Sequence, residues 1–343
     1  MRYPWTFGHD AEVTALAVSP HSAMCATGSK DGTIILWNMH SGLPAREWVG
    51  HPSSVRCLAF SPESGRLASS SSGIDGVIIW DVDTNEELSK LPWRKEPILT
   101  SVWAPDGTTI AAGTYLQSIL VWDTTTRYGR RWYQPFCDNH AIKVLRYSPD
   151  SRFLASGHTN KFFLWNARTG KRVSEQNCAV PEDAVMDIAF DCRTERLATG
   201  SHRGMLDTWT IGSDISSSLS LHGMGGVQRV SFSPDGSLVS ILDNGTSVVW
   251  TTYDGRSSVC SSDVPGLAIA VGPLGHVVAS ARADGSVALW SLRERQVLHT
   301  FRESSAPMMH ILFSEDGKTL CCGASDGTVH IRRVPLLGLT SRV

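Results

Sequence analysis

The sequence predicts an all-β fold, a β-propeller of small antiparallel sheets set in a ring, on three observations. A tryptophan closing a short β-branched run returns at Trp37, Trp80, Trp122, Trp165, Trp209, Trp250 and Trp290, at intervals of about 40 to 44 residues. Each interval holds four strand-like runs separated by turn residues, the content of one propeller blade. The repeat is continuous, so each unit buries its apolar faces against its neighbours, and the 343 residues read as one closed domain rather than the two that length suggests.

The first unit, GHDAEVTALAVSPHSAMCATGSKDGTIILWN, shows the elements in order. Val13 to Val18 is a first strand, Met24 to Thr27 a second and Thr33 to Trp37 a third, with turns at Ser19-Pro20 and Asp31-Gly32. The fourth run, Leu43 to Val49, is more polar, which suits an outer edge strand facing water.

These residues resemble the WD-repeat β-propellers, whose units run from a Gly-His pair through a Ser-Pro-Asp-Gly turn to a terminal Trp-Asp. Gly-His stands at Gly8-His9 and Gly50-His51, SPDG at Ser233 to Gly236, APDG at Ala104 to Gly107, and Trp-Asp at Trp80-Asp81 and Trp122-Asp123. The resemblance covers nearly the whole chain.

After the seven tryptophans comes an eighth unit, MMHILFSEDGKTLCCGASDGTVHIRRV, with Arg332 where the indole belongs. The expected ring therefore has eight four-stranded blades. Seven blades with one extra or broken unit is the alternative. The fourth strand of the last blade is expected from Tyr3 to Phe7, within a closing segment over residues 1–8, which is how the resembled family ties its ring; it also removes an exposed sheet edge. The tail over 335–343, with Leu336 to Thr340, competes for that edge.

The resemblance also implies a buried hydrogen-bonded chain of His, Ser or Thr, Asp and Trp in each unit. Imidazole, hydroxyl, carboxylate and indole can satisfy one another in sequence, so none is left unpaired. Unit one carries His9, Thr27, Asp31 and Trp37; unit two carries His51, Ser69, Asp75 and Trp80 across a longer turn. Elsewhere the set is broken: Ala112 and Leu116 in unit three, Arg203 in unit five and Asn244 in unit six stand at chain positions, and His140 and His222 are out of register. These Asp and His residues read as structural, not catalytic.

Composition excludes several classes. A formal charge of -2 with 19% charged residues gives no global basic field for nucleic acid or a membrane surface. The start lacks a basic leader with an apolar core, and the apolar stretch from Gly266 to Ala281 is interrupted by Pro273 and glycines, so neither reads as a signal peptide or a span. The eight cysteines are scattered without a CxxC pair and read as reduced thiols, which places the chain in the cytoplasm or nucleus. No nucleophile elbow, P-loop or zinc spacing is present, so no enzyme activity, cofactor or metal is expected. The cationic and aromatic segment Arg127 to Gln134 falls in an outer strand and its turn, where long side chains lie along the edge.

Partners are expected on one face, where the loops before each first strand meet those between second and third strands. Register places Glu12, Ser54, Pro97, Ala141, Ala184, Gly226, Pro265 and Pro307 there, with Lys30, Ile74, Tyr115, His202, Asp243, Ala283 and Ser325. Unit three replaces its turn acid and Gly-His with Trp93, Arg94 and Lys95 in one loop and Tyr115 and Leu116 in the other. Aromatic residues and arginine dominate binding hot spots, so Trp93, Arg94 and Tyr115 form the candidate anchor, flanked by Ile74 and His202, with Lys30 and Glu12 on the same face. The competing reading is a drifted blade with Trp93 packed inward. The resemblance implies a non-catalytic scaffold that binds one or more proteins or peptides. The alternatives are a ubiquitin-ligase substrate receptor, a nucleic-acid or chromatin reader and a channel-centred hydrolase.

Overall fold

The computed structural model describes residues 8–91, 93, 96–116, 118–126, 129–132, 141–159, 161–177, 183–212, 216–221, 225–244, 247–250, 257–260, 266–294 and 296–334. Blade one holds β1 (Val13–Val18), β2 (Met24–Ser29), β3 (Thr33–Asn38) and β4 (Leu43–Val49); blade two β5 (Val55–Phe60), β6 (Arg66–Ser71), β7 (Val77–Asp81) and β8 (Glu87–Leu91). Blade three holds β9 (Ile98–Trp103), β10 (Thr109–Thr114), β11 (Ile119–Asp123) and β12 (Gly129–Trp132); blade four β13 (Val144–Tyr147), β14 (Phe153–Gly157), β15 (Lys161–Asn166) and β16 (Arg172–Asn177). Blade five holds β17 (Val185–Phe190), β18 (Arg196–Ser201), β19 (Leu206–Thr210) and β20 (Ser216–Leu221); blade six β21 (Val227–Phe232), β22 (Leu238–Leu242), β23 (Ser247–Trp250) and β24 (Ser257–Cys260). Blade seven holds β25 (Gly266–Val271), β26 (Val277–Arg282), β27 (Ser286–Ser291) and β28 (Gln296–Arg302); a last sheet holds β29 (Met308–Phe313), β30 (Thr319–Ala324) and β31 (Val329–Arg333).

Every sheet is an antiparallel meander, and the first strands pack in chain order from β1 through β29, with β29 returning to β1. The units therefore enclose a ring rather than stack in a line. Seven sheets are complete four-stranded blades and one unit is incomplete, with three strands among the described residues. That corrects the expectation of eight four-stranded blades. The proposed closing strand, Tyr3 to Phe7, and the competing tail over 335–343 lie outside the described residues. What is described is the seam itself: Gly8 bridges Thr328 antiparallel, and His9 N donates to Gly327 O at 2.9 Å. His51 N donates to Gly32 O at 3.1 Å in the same way after β4, so His9 meets the last sheet as His51 meets the first.

In blade one, β1 and β4 have the expected bounds, while β2 runs past Thr27 to Ser29 and β3 past Trp37 to Asn38. The extension follows from ladder pairs such as Val13 with Ser29, made across a bulge between Val13 and Ala15. First strands of blades two, three, five, six and seven and of the last sheet break register at the same place. A bulge increases local twist, which these steeply twisted small sheets need.

The core lies between blades. Ile34 and Leu36 of blade one pack with Leu58, Phe60, Leu67 and Trp80 of blade two, and Ile79 of blade two packs with Ile110 and Trp122 of blade three. Trp37, Trp80, Trp122, Trp165, Trp209 and Trp290 thus each pack against the preceding sheet. Trp37, only 1% exposed, seals the joint between the last sheet and blade one. An indole that buries about 150–250 Å2 contributes about 4–6 kcal/mol of gross transfer free energy, which explains why the period is written in tryptophan.

Candidate functional site

The turns of one face are fixed by buried polar chains that start at the indoles. In blade one, Trp37 Nε1 donates to Thr27 Oγ1 at 2.8 Å, and His9 Nε2 lies 2.7 Å from the same hydroxyl. His9 Nδ1 does not reach Asp31. It lies 2.5 Å from Thr33 Oγ1, which donates to Asp31 Oδ1 at 2.5 Å, so Thr33 is a fifth member the four-residue expectation omitted. One proton assignment satisfies every group: Trp37 donates to Thr27, Thr27 to His9 Nε2, His9 Nδ1–H to Thr33, and Thr33 to the Asp31 carboxylate. Burial pushes His9 down to about 4, outweighing the charges of Asp31 and Asp10, which keeps the imidazole neutral as this order requires. Burial alone would raise the Asp31 carboxyl, but hydrogen bonds from the Thr33 hydroxyl and amide and from Ser29 hold it below the usual range.

Blade two makes the four-member version. Trp80 Nε1 donates to Ser69 Oγ at 2.7 Å, His51 Nε2 lies 2.7 Å from that hydroxyl, and His51 Nδ1 meets Asp75 directly. Burial lowers the His51 pKa against the opposing pull of Asp75. Ser71 donates to Asp75 Oδ1 at 2.6 Å, which fixes the turn carrying Ile74.

The broken units use substitutes that sequence reasoning missed. In blade four, Trp165 Nε1 donates to Ser156 Oγ at 2.9 Å, and the histidine at 2.9 Å on that hydroxyl is His158, from the end of the second strand; His140 lies outside the described residues, as does His222. In blades three and five the acid has moved to the incoming loop. Glu96, 5% exposed, accepts from Leu116 N, and Asp183, fully buried, accepts from Arg203 N at 2.8 Å. The signal was legible in these two units: an acid stands two places before the first strand in Glu96-Pro97-Ile98 and Asp183-Ala184-Val185, where the later turn lacks one. In the last sheet, Ser304 takes the histidine position and donates to Asp326 Oδ2 at 3.1 Å. Arg332, replacing the indole, lies 4.2 Å over the Phe301 ring and donates to Glu303 Oε1 at 2.6 Å.

These chains place the candidate partner residues. Backbone hydrogen bonds join the loop before a first strand to the turn after the second strand: Lys30 N to Glu12 O at 2.9 Å, Tyr115 N to Pro97 O at 3.1 Å, His202 N to Ala184 O at 2.9 Å, Asp243 N to Gly226 O at 2.7 Å and Ser325 N to Pro307 O at 2.9 Å. In blade two the partner of Ser54 is Ser72, not Ile74, because the turn is longer and carries Ile74 beyond the joint. Ile74 is 55% exposed, Tyr115 59% and Leu116 60%. Trp93 is half-buried and packs against the core between blades two and three, and its backbone N lies 3.0 Å from where a side chain on Gly76 would begin. Gly76, at φ 83°, leaves that space. Lys30 and His202 are exposed and Glu12 half-buried; Arg94 and Pro265 lie outside the described residues. The basic segment after Trp122 contributes β12, paired to β11 as the outer strand of blade three.

Among the described residues, no group of three or more His, Cys, Asp or Glu side chains is placed to hold a metal, and no helix is long and apolar enough to cross a membrane.

Three stretches, 2–38, 42–81 and 295–332, match the family model "WD domain, G-beta repeat". The chain is 26% identical over 377 residues to human WD repeat-containing protein 90, an alignment that takes in 98% of this chain and 21% of that protein. It is 29% identical over 128 residues to the small ribosomal subunit protein RACK1 of Schizosaccharomyces pombe, covering 35% of this chain and 40% of that one. It therefore spans less than half of either relative. Sqt1 of Saccharomyces cerevisiae superposes with a TM-score of 0.85 at 15% identity over 96% of this chain and 98% of its own, a likeness of fold. Repeated WD units matched by the family model, a WD-repeat relative aligned along nearly the whole chain and a closed ring of twisted sheets make the chain similar to the WD-repeat β-propellers in sequence and in fold.

Proposed function

We propose that this chain is a non-catalytic scaffold of the cytoplasm or nucleus that binds partner proteins on the face bearing Ile74, Tyr115 and Leu116. The observation that carries the reading is the blade-three turn. Tyr115 and Leu116 are more than half exposed, yet their backbone is held by Pro97 O and by the buried Glu96 carboxylate. Large apolar side chains held outward on a rigid turn lose little entropy on binding, the economy that makes aromatic anchors effective. Ile74 adds to the patch from the next blade, on a turn fixed by Asp75, while Trp93 supports it from behind as core. Among the other exposed large apolar residues, Leu43 and Val49 stand at opposite ends of β4, Leu88, Val173 and Val297 on the outer strands of three other blades and Leu274 in a turn of blade seven, so none forms a comparable adjacent pair. That a relative is named as a small ribosomal subunit protein supports a role within larger assemblies.

The test is quantitative affinity purification with the double variant Tyr115→Ala, Leu116→Ala against the unaltered chain. Specific partners should fall at least about tenfold, the loss of one hot-spot contact, with an unchanged melting midpoint. Undiminished recovery of every partner by a folded double variant would remove the blade-three turn from the interface.

A further inference from the structure

The ring closes where blade one meets the last sheet, and that joint holds two thiols in contact. Cys25 on β2 and Cys321 on β30 lie with their Sγ atoms 3.0 Å apart. Both are fully buried, in one core with Val13, Ile35, Trp37, Met39 and Val329. The two residues are 296 positions apart in the chain, so the contact joins the beginning of the ring to its end. The other described cysteine side chains face elsewhere. Cys322 points to the opposite side of β30, into the core shared with blade seven, as strand alternation requires. Cys57 donates to Ser101 O at 3.0 Å, and Cys192 is exposed.

We propose that Cys25 and Cys321 are an oxidisable pair whose disulfide staples the first blade to the last when the chain meets a peroxide. Sulfur atoms in a disulfide are about 2.05 Å apart, so formation asks the two side chains to close about 1 Å within a joint that already orients them. The chemistry balances with hydrogen peroxide as the oxidant. One thiol, as thiolate, attacks a peroxide oxygen; the O–O bond breaks, giving a sulfenic acid and, with the thiol proton, one water. The second thiol attacks the sulfenic sulfur; the S–S bond forms, the S–O bond breaks, and the departing hydroxide takes that thiol's proton as a second water. Two electrons leave the thiols and two enter the peroxide.

The position gives the bond its consequence. Among the described residues, the other interactions across this joint are non-covalent, among them packing, the Gly8–Thr328 bridge, the His9–Gly327 hydrogen bond and the exposed His21–Glu315 contact at 3.7 Å. A cross-link over so long a stretch of chain strongly restricts the unfolded ensemble and forbids opening of the ring at this seam. Burial pushes the Cys321 thiol well up, so the dithiol is inert as packed and oxidation follows transient opening of the seam.

The experiment uses the full chain, incubated with hydrogen peroxide a few degrees below its melting midpoint, then alkylated under denaturing, non-reducing conditions and digested. The expected result is a cross-linked peptide joining Cys25 to Cys321, lighter than the two thiol peptides by two hydrogens, with a melting midpoint raised by several degrees and restored by dithiothreitol. Cys25→Ala and Cys321→Ala should each abolish the cross-link and the shift, and Cys322→Ala should retain both. The proposal is overturned if both cysteines stay fully alkylatable after Cys192 has been oxidised, if either pairs with a different cysteine, or if the cross-link forms without moving the midpoint.

Discussion

Thr27 is the junction of the blade-one chain, and replacing it by valine isolates the worth of that junction. The side chains are nearly isosteric, so Thr27→Val opens no cavity; it removes one oxygen. That oxygen accepts from Trp37 Nε1 at 2.8 Å and bonds His9 Nε2 at 2.7 Å, and all three residues are buried, Thr27 fully. An indole N–H and an imidazole nitrogen are then left without partners where water does not reach. At about 1–3 kcal/mol for each buried unsatisfied group, less the hydrogen bonding recovered by relaxation, the loss comes to about 2–4 kcal/mol. Unfolding entropy of about 2.1 cal/mol/K per residue makes each kcal/mol worth about 1.4 °C in a chain of 343 residues, so the midpoint should fall by about 3–6 °C. Thr27→Ser keeps the hydroxyl and loses one methyl, for about 1 kcal/mol. Calorimetric melting of both variants at pH 7 separates the two effects. Thr27→Val melting at or above Thr27→Ser would refute a hydroxyl-centred chain and leave Thr27 as ordinary core.

Two further outcomes follow from the same contacts. His9 is neutral when folded, with its pKa lowered to about 4 against an ordinary 6.5, so between these values the unfolded chain binds a proton the folded one does not, and stability falls as pH drops through that window. His9→Gln should reduce the slope of stability against pH there by about one histidine's share, at most about 1.4 kcal/mol per pH unit; an unchanged slope in denaturant titrations would mean that His9 is protonated in the fold. Arg332→Met removes both the guanidinium 4.2 Å over the Phe301 ring and its bond to the half-buried Glu303, whose other partner, His330 at 3.6 Å, is kept neutral by burial, so urea unfolding at pH 7 should show a loss of about 1–3 kcal/mol. Equal stability would show that Glu303 is solvated well enough to stand without Arg332.

The repeat was legible because its strongest physical term, burial of an indole between blades, is spelled with the same residue at the same spacing. The Asp31-Gly32-Thr33 turn was legible in part. Its acid was assigned to His9, whereas the structure routes the contact through Thr33, since a sequence gives the order of polar groups but not which oxygen lies nearer. Blade three misled for a related reason. The loss of an acid at Leu116 read as a vacant structural role, but Glu96 fills it from across the joint, and the two are brought together only by the pairing of Tyr115 with Pro97. Trp93 could not be divided between anchor and core by residue type alone; the structure shows it half-buried and packed against the core between blades two and three.

Sequence by itself determined the small four-run sheets, their period and their mutual burial, because alternation, turn chemistry and the recurring indole act over distances shorter than one unit. The tertiary structure alone decided which groups meet at the closure. The family resemblance implied that the N-terminal segment joins the last sheet, but the contacts of Gly8 with Thr328 and of Cys25 with Cys321 depend on the summed rotation of every blade, and no local pattern in the chain encodes that sum.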